Sequence, residues 1–167
     1  MIRKFPDGFL WGAATASHQV EGNTTNDWSQ WEKENAERLA AKAASEFGHL
    51  PGWTEKFGME AARPENYISG IACDHYHRYE EDFDTAKEIG HTAYRFSIEW
   101  SRIEPKEGVF DEHELEHYLA VVRSLRTRNI EPFVTLWHWT LPPWLAKRGG
   151  MLAPKFPEYF ARYAERV

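Results

Sequence analysis

Three times in 167 residues, a short apolar run bounded by turn signals is followed by a stretch whose apolar residues recur every three to four positions. The runs are "FLWGAATAS" after Pro6-Asp7-Gly8, "TAYRFSIEW" after Gly90, and "EPFVTLWHW". Runs of this kind read as strands and the spaced stretches as helices. Strand and helix alternating three times leaves little freedom: the strands run parallel with crossover helices, in an α/β fold.

The first run reads as a buried strand. In the second, Tyr94, Phe96, Ile98 and Trp100 share one face, while Arg95, Ser97 and Glu99 share the other. Taken alone, a half-exposed strand accounts for that polar column. Asp74 is positioned to cap "HYHRYEEDFDTAKEI", with Tyr76, Tyr79, Phe83 and Ala86 as its stripe and Gly90 as its stop. Asp111 caps "EHELEHYLAVVRSLRTR", with a stripe of Leu115, Tyr118, Leu119, Val122 and Leu125. "FPEYFARYAERV" offers Phe156, Tyr159, Phe160 and Tyr163. Between the first and second strands, residues of about 23–71 form a long insertion: a helix around "WEKENAERLAAKAASEF", then "GHLPGWTEKFGMEAARPENYISG", read as loop.

Three parallel strands leave two open edges, and the last helical pattern reaches Val167 without a capping glycine. The expectation is the front part of a larger domain. A net charge of −6 argues against nucleic acid or an anionic membrane as partner. Cys73 is the only cysteine, which excludes an internal disulfide. The start carries two early positive charges, but Pro6, Asp7 and Gly8 interrupt its apolar stretch, a poor fit to a signal peptide. No run approaches membrane-spanning length, so the expected location is cytoplasmic. Aromatics make up 15% of residues and include 8 Trp, which calls for an aromatic core or a cleft that stacks on flat ligands.

"HELEH", His113 to His117, matches the H-E-x-x-H pattern of zinc peptidases. At about 100° per residue, however, both histidines lie nearly opposite the apolar stripe of their helix. They are expected to face water, and no downstream G-x-x-H supplies a third ligand. A zinc peptidase is therefore disfavoured, and no metal or other cofactor is expected. His75 and His77, two apart on a helix, diverge and cannot share one ion.

Four stretches in order, "FLWGAATASHQVEG", "ACDHYHRYEED", "AYRFSIEWSRIEP" and "VTLWHWTLP", resemble the N-terminal portion of glycoside hydrolase family 1, the β-glucosidase and β-galactosidase family. The resemblance implies a (β/α)₈ TIM barrel, of which this chain supplies about three βα units. A complete barrel needs about 250 residues, with its site at the C-terminal ends of the strands. By resemblance, Gln19, His138 and Trp139 bind the glycone sugar, and Arg95 supports the catalytic nucleophile. The polar column of the second strand would then point into the barrel. The reaction implied is hydrolysis of β-linked glycosides or oligosaccharides with retention, by two carboxyl groups about 5 Å apart. The family's T-x-N-E-P and T-E-N-G motifs, which carry that pair, do not occur in these residues. Glu21 and Glu99 match other family positions and are not taken as substitutes. The alternative is a non-catalytic sugar-binding fragment, or half of a split barrel completed by a second chain. His18, where the family commonly has Tyr, and Thr140, where it commonly has Asp, depart from the pattern.

Overall fold

The computed structural model describes residues 4–167; Arg3, the first of the two early charges, lies outside them. Three strands, β1 (Gly12–Ala14), β2 (Ala93–Ser97) and β3 (Glu131–Thr135), form one parallel sheet in the order β1-β2-β3. Ala14, Arg95 and Phe133 lie side by side across it, and Ser97 pairs with Thr135. A Cβ on Gly12 would lie 2.2 Å from the Ala93 carbonyl oxygen, so β1 and β2 approach at a distance only glycine permits.

The connections are helical. After β1 come the single turn α1 (Ser17–Val20), the long α2 (Asp27–Phe47), α3 (Glu55–Ala61), a 3₁₀ turn at Pro64–Tyr67, and α4 (His75–Glu88). The stretch after α2, read as loop, thus contains a helix capped by the Thr54 hydroxyl. Local capping chemistry outweighed the irregular spacing of Gly and Pro there. After β2 come α5 (Trp100–Ile103) and α6 (Glu112–Thr127); after β3 come α7 (Pro143–Lys147), a 3₁₀ turn at Gly150–Leu152, and α8 (Phe156–Arg166).

The core lies between the helix-facing side of the sheet and α4, α6 and α8. Tyr94 and Phe96 are buried, as alternation along β2 requires; Ile98 and Trp100 are buried too, but the strand expected through Trp100 ends at Ser97 and Trp100 opens α5. Trp100 stacks on Tyr163 at 4.6 Å between ring centroids, and Tyr163 donates to the Leu136 carbonyl at 2.6 Å. The opposite column of β2 is not half-exposed as alternation alone suggests: Ser97 and Glu99 are fully buried and Arg95 is half-buried.

Three expectations need correction. Phe9, Leu10 and Trp11 are exposed, as is all of β1. β1 is an edge strand, and an apolar strand is buried only where both flanks and both faces are covered. In α6 the buried positions are Tyr118, Val121, Ser124 and Leu125, while Leu119 is 47% exposed. The packing of α6 on α4 and β3 rotates its inner face away from the stripe of best spacing. His117 does not face water. It stacks on Tyr76 at 3.8 Å, and burial with the nearby Arg102 charge pushes its imidazole down to about 4. His113 is exposed. No helix among the described residues is long and apolar enough to cross a membrane.

Candidate sugar-binding site

The C-terminal ends of β1 and β3 carry the residues in question. Beyond β1 the chain enters α1, which presents Gln19 to solvent. Beyond β3 it makes a tight turn in which the Thr140 N–H donates to the His138 carbonyl at 3.0 Å. That turn holds Trp139 at φ +73° and leaves its indole 70% exposed. A bulky residue in the left-handed region costs on the order of 1–3 kcal/mol and persists only where its surroundings over-determine it. Here they do. Trp137 Nε1 donates to the Thr140 carbonyl at 3.0 Å, and the Leu141 N–H donates to Asp27 Oδ1 at 2.7 Å.

Gln19, His138 and Trp139 line one open cleft of about 650 Å³. Arg95 does not line it; its guanidinium donates to the Thr15 carbonyl at 2.6 Å on the open face of the sheet. Sequence reasoning missed the second wall, which α2 supplies through Asp27 and Trp28, with Met151 from beyond β3. The Asn26-Asp27-Trp28 start of α2 held the signal, since a cap followed by an aromatic residue places that aromatic at an exposed helix end. Trp144, past the two prolines, is structural: its Nε1 donates to the Glu104 carbonyl at 2.9 Å.

Beneath the cleft lies a buried polar cluster. Glu99 accepts from Ser17 Oγ at 3.0 Å, Asn26 Nδ2 at 3.2 Å, Ser101 Oγ at 2.8 Å and Thr140 Oγ1 at 3.2 Å. His18 bridges Thr24 Oγ1 at 3.2 Å and Glu32 Oε1 at 3.1 Å, and Glu32 in turn accepts from Ser69. Glu32 is lowered despite its burial, because Ser69 and His18 hydrogen-bond the carboxylate. Glu21 accepts from Arg102 Nε at 2.9 Å and Tyr118 OH at 2.8 Å. Burial outweighs both and pushes the Glu21 carboxyl up to about 7. Neither Glu21 nor Glu99 lines the cleft.

The mixture fits polyhydroxylated ligands. An amide and an imidazole can each donate and accept, as sugar hydroxyls do, and indoles offer apolar faces to ring C–H groups. The sheet order, the crossover helices and a cleft at the C-terminal strand ends define the N-terminal part of a (β/α)₈ barrel. The family model of Glycosyl hydrolase family 1 matches residues 1–167, and the chain belongs to that family. It is 38% identical over 168 residues to a 1,4-beta-D-glucan glucohydrolase of Thermotoga neapolitana, covering 98% of this chain and 34% of that protein. It is 39% identical over 171 residues to a beta-glucosidase of an Agrobacterium species, covering 100% of this chain and 32% of that protein. Among solved structures, a beta-glycosidase from Pyrococcus horikoshii superposes with a TM-score of 0.74 at 38% identity, over 98% of this chain and 32% of the other. An aphid myrosinase superposes with a TM-score of 0.76 at 30% identity, over 98% and 32%. The chain thus spans about a third of the length of the relatives it matches.

Proposed function

We propose that this chain forms part of the glycone site of a retaining β-glycosidase of the β-glucosidase type, acting on β-linked glycosides or oligosaccharides. The observation that carries the reading is the convergence of Gln19, His138 and Trp139 on one cleft at the strand ends, in a chain of this family. Gln19 and His138 read hydroxyl directions while Trp139 supplies an apolar face. Arg95, on the open face of the sheet, is positioned to favour an ionised nucleophile brought beside it.

The two reacting carboxyl groups lie outside residues 1–167 in this reading. A retaining pair must flank the scissile bond about 5–5.5 Å apart. Glu21 and Glu99 are 4% and 0% exposed, and each is hydrogen-bonded to buried protein donors. Assay of the chain alone on an aryl β-glucoside should give no turnover. In the protein completed beyond residue 167, Gln19→Ala or His138→Ala should lower kcat/KM by about tenfold or more, about 1.4 kcal/mol of transition-state binding. Turnover by the chain alone that vanishes in Glu21→Gln or Glu99→Gln would overturn the assignment.

A further inference from the structure

A second, small cavity of about 10 Å³ lies between the end of β1, α4 and α6, lined by Thr15, Glu21, His75, Tyr76, Ser97 and Tyr118 among others. Two of its lining residues, Thr15 and His75, each have a buried side-chain atom, Oγ1 and Nε2, without a hydrogen-bond partner in the protein. Buried polar groups are nearly always paired, so two orphans on residues that line one cavity point to a ligand.

The other polar groups of the wall are committed. Tyr118 OH donates to Glu21 and accepts from the Glu99 N–H. Ser97 Oγ accepts from the Ser17 N–H and donates to the Ser17 hydroxyl. Tyr76 OH donates to Glu114, and Glu21 Oε2 is held by Arg102. The Tyr94 phenol approaches the Thr15 hydroxyl without reaching hydrogen-bond geometry. None of these turns to meet the two orphans.

His75 fixes what the ligand must do. Its Nδ1 lies 2.6 Å from Asp82 Oδ2, and an ionised carboxylate only accepts, so Nδ1 carries the proton. In its neutral form, with the proton on Nδ1, the ring presents a lone pair at Nε2 that takes a donor. The Thr15 hydroxyl can both give and take. The cavity is at the lower limit for one water and holds nothing larger. We infer that a single internal water sits there, donating to His75 Nε2 and exchanging a hydrogen bond with Thr15 Oγ1. It links the end of β1 to the first turn of α4, across 60 residues of sequence, as 75 − 15. Thr15 is also the residue whose carbonyl accepts from Arg95, so this water anchors the strand end on which Arg95 rests. The assignment is independent of the sugar reading.

The test is NMR on the isotope-labelled chain. The ring ¹⁵N shifts of His75 should report a protonated Nδ1, and a water cross-peak should appear at the His75 ring proton between the two nitrogens. Thr15→Ser keeps the hydroxyl and should keep the cross-peak; Thr15→Val removes it and should lose the cross-peak. An absent cross-peak in the parent chain, or one unchanged in Thr15→Val, would overturn the assignment. So would crystallographic density with the Thr15 hydroxyl turned onto the Tyr94 phenol. If Thr15→Val does not fold, the parent chain and Thr15→Ser still decide the matter.

Discussion

Asn26→Asp should leave stability unchanged if helix capping were all that Asn26 did, since Asp and Asn cap about equally well. The surroundings of Asn26 demand a different outcome. Its Oδ1 accepts from the Ser29 N–H at 2.8 Å, which fixes the amide. Its Nδ2 faces Glu99 Oε2 and His18 Nδ1, each at 3.2 Å, and the residue is fully buried. Aspartate would set a second carboxylate oxygen against Glu99 with no water to screen them. One carboxyl must take a proton, and at pH 7 that costs about 1.36 × (7 − 3.9), or about 4 kcal/mol. The His18 imidazole can donate to the new group and offsets part, so about 2–4 kcal/mol is expected. The sign follows from linkage. The folded-state pKa of the new carboxyl is raised above the unfolded value, so the folded state binds the extra proton. The variant should match its parent below about pH 4 and fall behind by about 1.4 kcal/mol per pH unit above it. Urea unfolding followed by tryptophan fluorescence at several pH values, as a difference between the two proteins, measures this. Glu21 titrates in both and cancels. Equal stability at pH 7, or a difference flat with pH, would refute the Asn26–Glu99 contact.

Glu21 itself has a folded pKa of about 7 against an ordinary 4.5, so stability from this group is full below about pH 4.5 and is lost as pH rises to about 7. Glu21→Gln should flatten that window in the same urea series. Tyr118→Phe removes the donor to Glu21 Oε1 at 2.8 Å and the acceptor of the Glu99 N–H at 3.0 Å. With both groups buried, unfolding free energy should drop by about 2–5 kcal/mol, read by denaturant titration. Gly22→Ala puts a Cβ 2.0 Å from the Ile71 carbonyl oxygen at φ +79°, whereas Gly52→Ala at φ +88° meets nothing within 4 Å. In parallel thermal melts, the first should lose more than about 3 kcal/mol and the second about 1–2 kcal/mol.

Periodicity carried the architecture because local spacing determines which face an element buries. Tyr94 and Phe96 are buried as their alternation predicts, and Phe83, Ala86, Tyr159 and Tyr163 follow their helical stripes. It misled where burial depends on neighbours. Trp11 lies just before an edge strand, and Leu119 lost the inner face of α6 to Val121 through packing on other elements. His117 shows the same dependence: its helix turns it outward from the sheet, and Tyr76 of α4 then covers it. The polar cluster was the least legible part. Glu99 meets Ser17 and Asn26 across 82 and 73 positions, and no local pattern encodes such pairs. Its one trace was the column of Arg95, Ser97 and Glu99 along and just past β2.

That cluster and the cleft are parts of one construction. Three of the segments that wall the cleft belong to different elements: Gln19 on α1, Trp28 on α2, and Trp139 in the turn after β3. Each stands within two positions of a residue whose side chain donates to Glu99: Ser17, Asn26 and Thr140. Three segments distant in sequence are therefore tied to a single carboxyl group, two residues past the end of β2. A carboxyl group suits the task, because its two oxygens can accept from all three at once. A carboxylate so engaged has no oxygen to offer a substrate. Glu99 shapes the cleft by holding its walls in register, and it does so without lining the cleft itself.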